Sequence, residues 1–83
     1  MRPKNNKNTG KMFTVSTLVR SDISINAGSN YQYILNDFNG RTIAKGNGTQ
    51  GVNRVNIDAQ AKGMYILQII SNNERQIERI IKQ

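Results

Sequence analysis

The chain contains no cysteine and no histidine, and proline occurs only at Pro3. Without cysteine there is no disulfide framework and no thiolate metal site, although this absence says little about compartment. Without histidine the commonest metal ligand and the commonest general base are gone. Acid–base chemistry would fall to carboxylates, and there are five of them: Asp22, Asp37, Asp58, Glu74 and Glu78. No catalytic, metal or cofactor-binding residue is assigned on this basis, and neither enzymatic activity nor a cofactor is expected. Long apolar runs are also missing. No stretch approaches the roughly 18 apolar residues of a membrane span, so no transmembrane segment is expected, and nothing resembles the apolar centre of a secretory signal. The 83 residues, 36% of them hydrophobic, suffice for one domain with one modest core.

Acidic residues are few, and their placement matters more than their number. The formal net charge is +7. Arg2, Lys4, Lys7, Lys11 and Arg20 all precede the first acid, Asp22, whereas the remainder of the chain is close to balanced. The basic excess therefore sits mostly in a tail. Residues 1–10 (MRPKNNKNTG) are polar, Asn-rich and punctuated by Pro3 and Gly10, a composition that predicts disorder. We place a flexible basic tail or linker at 1–11 and the folded domain at 12–83. A basic arm can bind nucleic acid or an anionic membrane by counterion release. This one lacks the aromatic residues that stack on bases, so nucleic acid is not the expected partner.

What is present is a series of β-prone segments. Tyr31, Tyr33 and Leu35 recur at every second position, the period of a half-buried strand. Asn39-Gly40 follows, and Thr42-Ile43-Ala44 resumes an extended pattern. Asn-Gly between two such runs predicts a hairpin closed by a type I′ turn, with positive φ at both central residues. Asp37 stands where its carboxylate can accept hydrogen bonds from the turn amides.

The other segments read in the same way. Met12-Phe13-Thr14-Val15 is a first strand, and Leu18-Val19 with Ile23-Ser24-Ile25 forms a second extended run. Ala27-Gly28-Ser29-Asn30 is a turn cluster. Gly46-Asn47-Gly48-Thr49-Gln50-Gly51 reads as a loop too glycine-rich for regular structure. It is not a phosphate cradle, because the β-prone Val52–Ile57 follows rather than a helix. Asp58–Lys62 allows a single helical turn before Gly63. Met64–Ile70 is the longest apolar run and the expected most-buried strand. After Ser71-Asn72-Asn73-Glu74, the isoleucines at 77, 80 and 81 fit a strand or an amphipathic helix. The tight Asn-Asn turn and the β-branched content favour the strand. Strands separated by turns every 8–12 residues describe an all-β, immunoglobulin-like antiparallel sandwich of about seven strands.

In this order the pieces resemble a known family. Leu35-x-Asp37-Phe38-Asn39-Gly40-Arg41, a glycine-rich spacer, Val55-x-Ile57, Gly63-x-Tyr65 and a terminal Arg79-Ile80-Ile81-Lys82 resemble the type A C-terminal sorting domain of cargo for the type IX (Por) secretion system. The resemblance covers about residues 15–83. The family usually opens with Tyr-Pro-Asn-Pro, where this chain has Val15, Ser16, Thr17 and Leu18, and usually carries a leucine where Gln60 stands. The resemblance implies that the domain directs a periplasmic passenger, fused on its N-terminal side, through the outer-membrane translocon of a Gram-negative bacterium. It implies further partners: an outer-membrane shuttle protein, and a sortase-like peptidase that removes the domain once the passenger reaches the surface or medium. It places recognition at the C-terminal end, here Ile77, Arg79, Ile80, Ile81 and Lys82. Asp37, Asn39, Gly40, Arg41, Gly63 and Tyr65 then take structural roles, with Gly63 turning the chain into its strand and the Tyr65 hydroxyl reaching a sheet edge or a loop carbonyl.

Two other functions fit the same composition: a fibronectin-like adhesive or accessory module of a larger extracellular protein, and a small basic nucleic-acid binder. The tail reading generates a direct test. Deleting residues 1–10 is expected to leave the melting temperature within about 4 °C, because such an arm buries little surface. A collapse of the thermal transition would mean that the arm pairs as a strand.

Overall fold

A computed structural model describes residues 13–83. Met12 and the tail assigned to 1–11 lie outside the described residues. Among the described residues eight strands follow in chain order: β1 (Phe13–Val15), β2 (Leu18–Val19), β3 (Asp22–Ala27), β4 (Tyr31–Asp37), β5 (Thr42–Gly48), β6 (Gly51–Asn56), β7 (Gly63–Ser71) and β8 (Glu74–Lys82). They form a three-stranded sheet, β1-β3-β6, and a five-stranded sheet, β2-β8-β7-β4-β5. The chain is all-β, as its periodicity predicts, and the C-terminal isoleucines lie on a strand. In immunoglobulin terms, β3 and β6 hold the places of B and E, and the run β5-β4-β7-β8 those of C′-C-F-G.

Alternation along the strands builds the core. Ile23 and Ile25 of β3 meet Leu35 of β4, Leu67 and Ile69 of β7 and Ile80 of β8, all of them fully buried. Each such side chain contributes about 1.5–3 kcal/mol relative to exposure. A few well-placed aliphatics therefore offset a low overall hydrophobic content.

Three local readings change in the structure. Leu18-Val19 and Ile23-Ser24-Ile25 do not share a run: β2 pairs in parallel with β8, and β3 pairs with β1 and β6. The chain crosses between sheets at Ser16-Thr17, where Ser16 N donates to Ser24 O (3.0 Å), Ser24 N donates to Ser16 Oγ (2.9 Å) and Ile81 N donates to Thr17 O (2.7 Å). Hydrogen bonds thus fix a crossover where the family usually has prolines. This split raises the strand number from the expected seven to eight among the described residues.

The central hairpin does not close with a type I′ turn. Among its loop residues only Gly40 has positive φ (+85°). Gly40 N donates to Asp37 O (3.0 Å) and Asp37 N to Arg41 O (2.8 Å), which makes a type I turn followed by a left-handed glycine. The Asp37 carboxylate explains the choice, because it accepts from the Asn39 amide and so favours type I geometry. The type I′ turn lies elsewhere. Asn72 (φ 52°) and Asn73 (φ 65°) join β7 to β8 in a two-residue loop.

The glycine-rich segment is not a loop either. Gly46, Asn47 and Gly48 pair with Tyr33, Gln32 and Tyr31 at the end of β5. Glycine is needed there for space: a Cβ on Gly48 would lie 2.0 Å from Tyr31 Cζ, and one on Gly46 would lie 3.2 Å from the Tyr33 hydroxyl. The Tyr31 ring cannot easily yield, since it is buried and packs edge-on against Phe13 at 5.3 Å. Its hydroxyl has no hydrogen-bond partner among the described residues. Burial, and then the neighbouring Tyr33, hold this phenol above its ordinary pKa.

Gly48 and Gly40 should respond differently to alanine. Gly48→Ala forces Cβ into the Tyr31 ring and is expected to destabilise by about 2 kcal/mol. In a Tyr31→Leu background, where the ring is gone, the same change should cost less than about 1 kcal/mol. Gly40→Ala meets open space and costs only backbone strain, about 1 kcal/mol. Urea denaturation of the four variants and the parent checks this, and equal Gly48→Ala costs in both backgrounds would remove the steric explanation.

Candidate recognition surface

The two motif halves that are distant in sequence meet at one end of the five-stranded sheet. Asp37 of β4 pairs with Tyr65 of β7, and Gly63 (φ +142°) pairs with Lys82 of β8. Asp37, Asn39, Arg41, Gly63 and Tyr65 all line one shallow depression, with Gly40 in the turn above it. The arrangement is held by hydrogen bonds. Asp37 Oδ1 accepts from Asn39 N and Arg41 N, each at 2.9 Å, and Asp37 Oδ2 accepts from Arg41 Nε at 3.1 Å. The Tyr65 hydroxyl donates to the Ala61 carbonyl, four residues upstream. This is the tyrosine-corner arrangement of β-sandwiches, at the loop leading from β6 into β7. The depression contains no histidine or cysteine, and no cluster of three potential metal ligands occurs among the described residues.

The Arg41 backbone amide lowers the Asp37 pKa most. Partial loss of water opposes it, while the Asn39 amide and the Arg41 guanidinium act in the same direction as the Arg41 amide. The net result is a carboxyl held below the usual carboxylate range.

β8 carries the five residues assigned to recognition, and alternation divides them. Arg75, Ile77, Arg79 and Ile81 point away from the core. Ile77 is 58% exposed and Ile81 38%, while Ile80 is fully buried and Lys82 is 8% exposed. Ile80 is thus a core residue. Lys82 does not contribute to an exposed basic face, because β2 pairs beside it through Val19, where a lysine buries its stem. The end of β8 is also secured against β2: Gln83 N donates to Val19 O at 2.8 Å. Between Glu74 and Arg79 the edge of β8 that faces β2 has no strand beside it among the described residues.

Pairing across β8 brings in residues that the sequence reading did not single out. Ile81 stands between Leu18 and Met64, Arg79 opposite Ile66, and Ile77 opposite Gln68. The signal was available in Met64–Ile70. A continuous apolar run on an antiparallel strand means that both faces are apolar.

A family model described as the secretion system C-terminal sorting domain matches residues 19–83. The chain belongs to that family. The match covers β3 to β8 together with Val19, so both motif halves and the last strand fall inside it. The search of curated proteins returned no match. Membership marks the sorting domain as a type IX secretion signal, a family that acts in general by recognition rather than by catalysis. It implies interaction with the secretion machinery and export to the cell surface or beyond. No helix among the described residues is long and apolar enough to cross a membrane.

The Asp37 network predicts a specific acid response. A carboxyl whose pKa is lower in the folded than in the unfolded state stabilises the fold above its unfolded value, about 3.9. That contribution disappears as pH falls through the lower folded value. Asp37→Asn should therefore be less stable than the parent at pH 7, and the gap should narrow below about pH 4. Urea midpoints for both proteins across this range test it. A gap independent of pH would mean that the charge on Asp37 is not used.

Proposed function

We propose that this sorting domain is the address by which a folded passenger, attached on its N-terminal side, is carried from the periplasm through the type IX outer-membrane translocon. The translocon or its outer-membrane shuttle protein reads the domain. A sortase-like peptidase then removes it, with cleavage in the segment before the sandwich. The family match over residues 19–83 carries this reading. The geometry supports it, since Ile77, Arg79 and Ile81 are presented outward on a strand held by its neighbours. Ile80 and Lys82 support that strand from the opposite face. The work is recognition, and the reading needs no catalytic group or cofactor.

The test is a fusion of the full chain to the C-terminus of a reporter that carries its own export signal, expressed in a type IX host. The reporter is expected at the cell surface or in the medium, and in the periplasm of the same host lacking the translocon. Arg79→Glu alters only an exposed side chain and should lower delivery severalfold with the fold intact. Equal reporter delivery in the two hosts would refute the sorting reading.

A further inference from the structure

The outward face of the five-stranded sheet departs from the usual pattern. An antiparallel sheet with one solvated face normally carries polar residues there. Here the rows read Leu18-Ile81-Met64 across β2, β8 and β7, Arg79-Ile66-Asn36 across β8, β7 and β4, and Ile77-Gln68-Ile34-Lys45 across β8, β7, β4 and β5. Leu18 is 62% exposed, and Ile34, Met64 and Ile66 are only partly covered. Toward β5 the face sinks into a shallow depression whose lining includes Gln32, Tyr33, Ile34, Lys45, Asn47 and Ile70. Contiguous apolar surface of this kind marks an interaction site.

Its charge is of one sign. Arg75, Arg79 and Lys45 stand on this face, and none of the chain's five acids does. Asp22 lies on the smaller sheet, Asp37 is engaged by Arg41, Asp58 is in a loop, and Glu74 and Glu78 occupy the alternate positions of β8. That asymmetry decides between occupants. The chain's own residues 1–12 are basic and would be repelled. A second copy laid face to face would bring arginine near arginine. A lipid surface is disfavoured because Tyr31, Tyr33 and Tyr65 pack against the core, and the exposed ring of Phe38 stands in the β4–β5 turn rather than on this face.

We infer that this whole sheet face, and not the last strand alone, docks an acidic protein surface with an apolar centre, the partner supplying carboxylates to Arg75, Arg79 and Lys45. The inference rests on the sorting reading and names the surface through which the export machinery recognises the domain. It makes recognition depend on residues far from the C-terminal strand, which only folding brings beside it.

Leu18→Glu on β2 and Lys45→Glu on β5 test this in the full-chain reporter fusion, both at exposed positions outside β8. Arg54→Glu, exposed on the outer side of the smaller sheet, is the matched control. Each face variant should cut delivery at least about fivefold and the control less than about twofold. Lys45→Gln should fall between the parent and Lys45→Glu, because neutralising a charge costs less than reversing it. Melting temperatures of the purified variants within about 4 °C of the parent establish that they are folded, and a variant outside that range is replaced by Leu18→Gln or Lys45→Gln. Parent export with unchanged delivery of folded Leu18→Glu and Lys45→Glu overturns the face assignment and leaves the sorting reading standing. An equal loss in Arg54→Glu also overturns it, since overall charge would then be what is read. A parent that stays in the periplasm removes both readings. Co-sedimentation of the purified chain with vesicles of anionic phospholipid, lost in Lys45→Glu, would assign the face to a membrane instead. A dimer in sedimentation velocity, lost in Leu18→Glu, would assign it to a second copy.

Discussion

The register of the β7–β8 hairpin is the constraint on which the rest depends. The two-residue turn at Asn72-Asn73 allows one pairing, Ser71 with Glu74 through Gly63 with Lys82. That pairing places Tyr65, Leu67, Ile69 and Ile80 in the core, and Ile66, Ile77, Arg79 and Ile81 outside it. A slip of one residue in β8 would exchange its two faces, exposing Ile80 and burying Arg79. The exchange would be costly in both directions. An unpaired buried guanidinium is strongly unfavourable, and Ile80 would lose its share of the core. Asparagine is well suited to this turn, because its short polar side chain tolerates the left-handed region. The core and the outward face are therefore two products of one register.

Around that hairpin the sandwich uses side chains to make good what its backbone lacks. Three residues do much of the joining. Asp37 draws the hairpin loop together through two amides and a guanidinium. Tyr65 anchors the loop before β7 through the Ala61 carbonyl. Ser71 donates to the Asn30 carbonyl at 2.8 Å and lies 2.9 Å from Ser29 Oγ, joining the end of β7 to the β3–β4 connection. The glycines at 46 and 48 complete this economy by leaving room for tyrosine rings. The side of a strand that lacks side chains is thereby covered by its neighbour's aromatic surface.

Fold class, most strand positions and the strand nature of the last segment were legible in the alternation of apolar residues and in the Asn-Gly and Asn-Asn turns. Three features were not, each for a physical reason. Asn39-Gly40 is read as type I′ when only the dipeptide is weighed, but the carboxylate two residues before Asn39 changes the preferred geometry. Gly46–Gly48 reads as a loop because intrinsic propensity does not include a ring packed on the backbone. Lys82 reads as a surface residue because charge normally marks exposure. The parallel partner that buries it, Val19, is 63 residues away in sequence. The family motifs were visible, but the outward apolar face was not, since most of its residues, among them Leu18, Ile34, Lys45, Ile66 and Ile77, lie outside those motifs. Non-local pairing is the common cause, as neither a neighbour across a sheet nor a ring above a glycine leaves a local trace.

The clasp between β2 and β8 makes the domain a sensor of its own completion. Leu18 and Ile81 meet only where the last strand lies beside β2, and pairing residues so far apart in sequence carries a large loop-closure cost. A chain cut within β7 or β8 could retain the Asp37 hairpin and most of the smaller sheet. It would leave β2 without a partner and the face without Arg79 and Ile81. The row from Leu18 through Ile81 to Met64 thus reports on the whole length of the sandwich, and a nascent or truncated chain cannot imitate it.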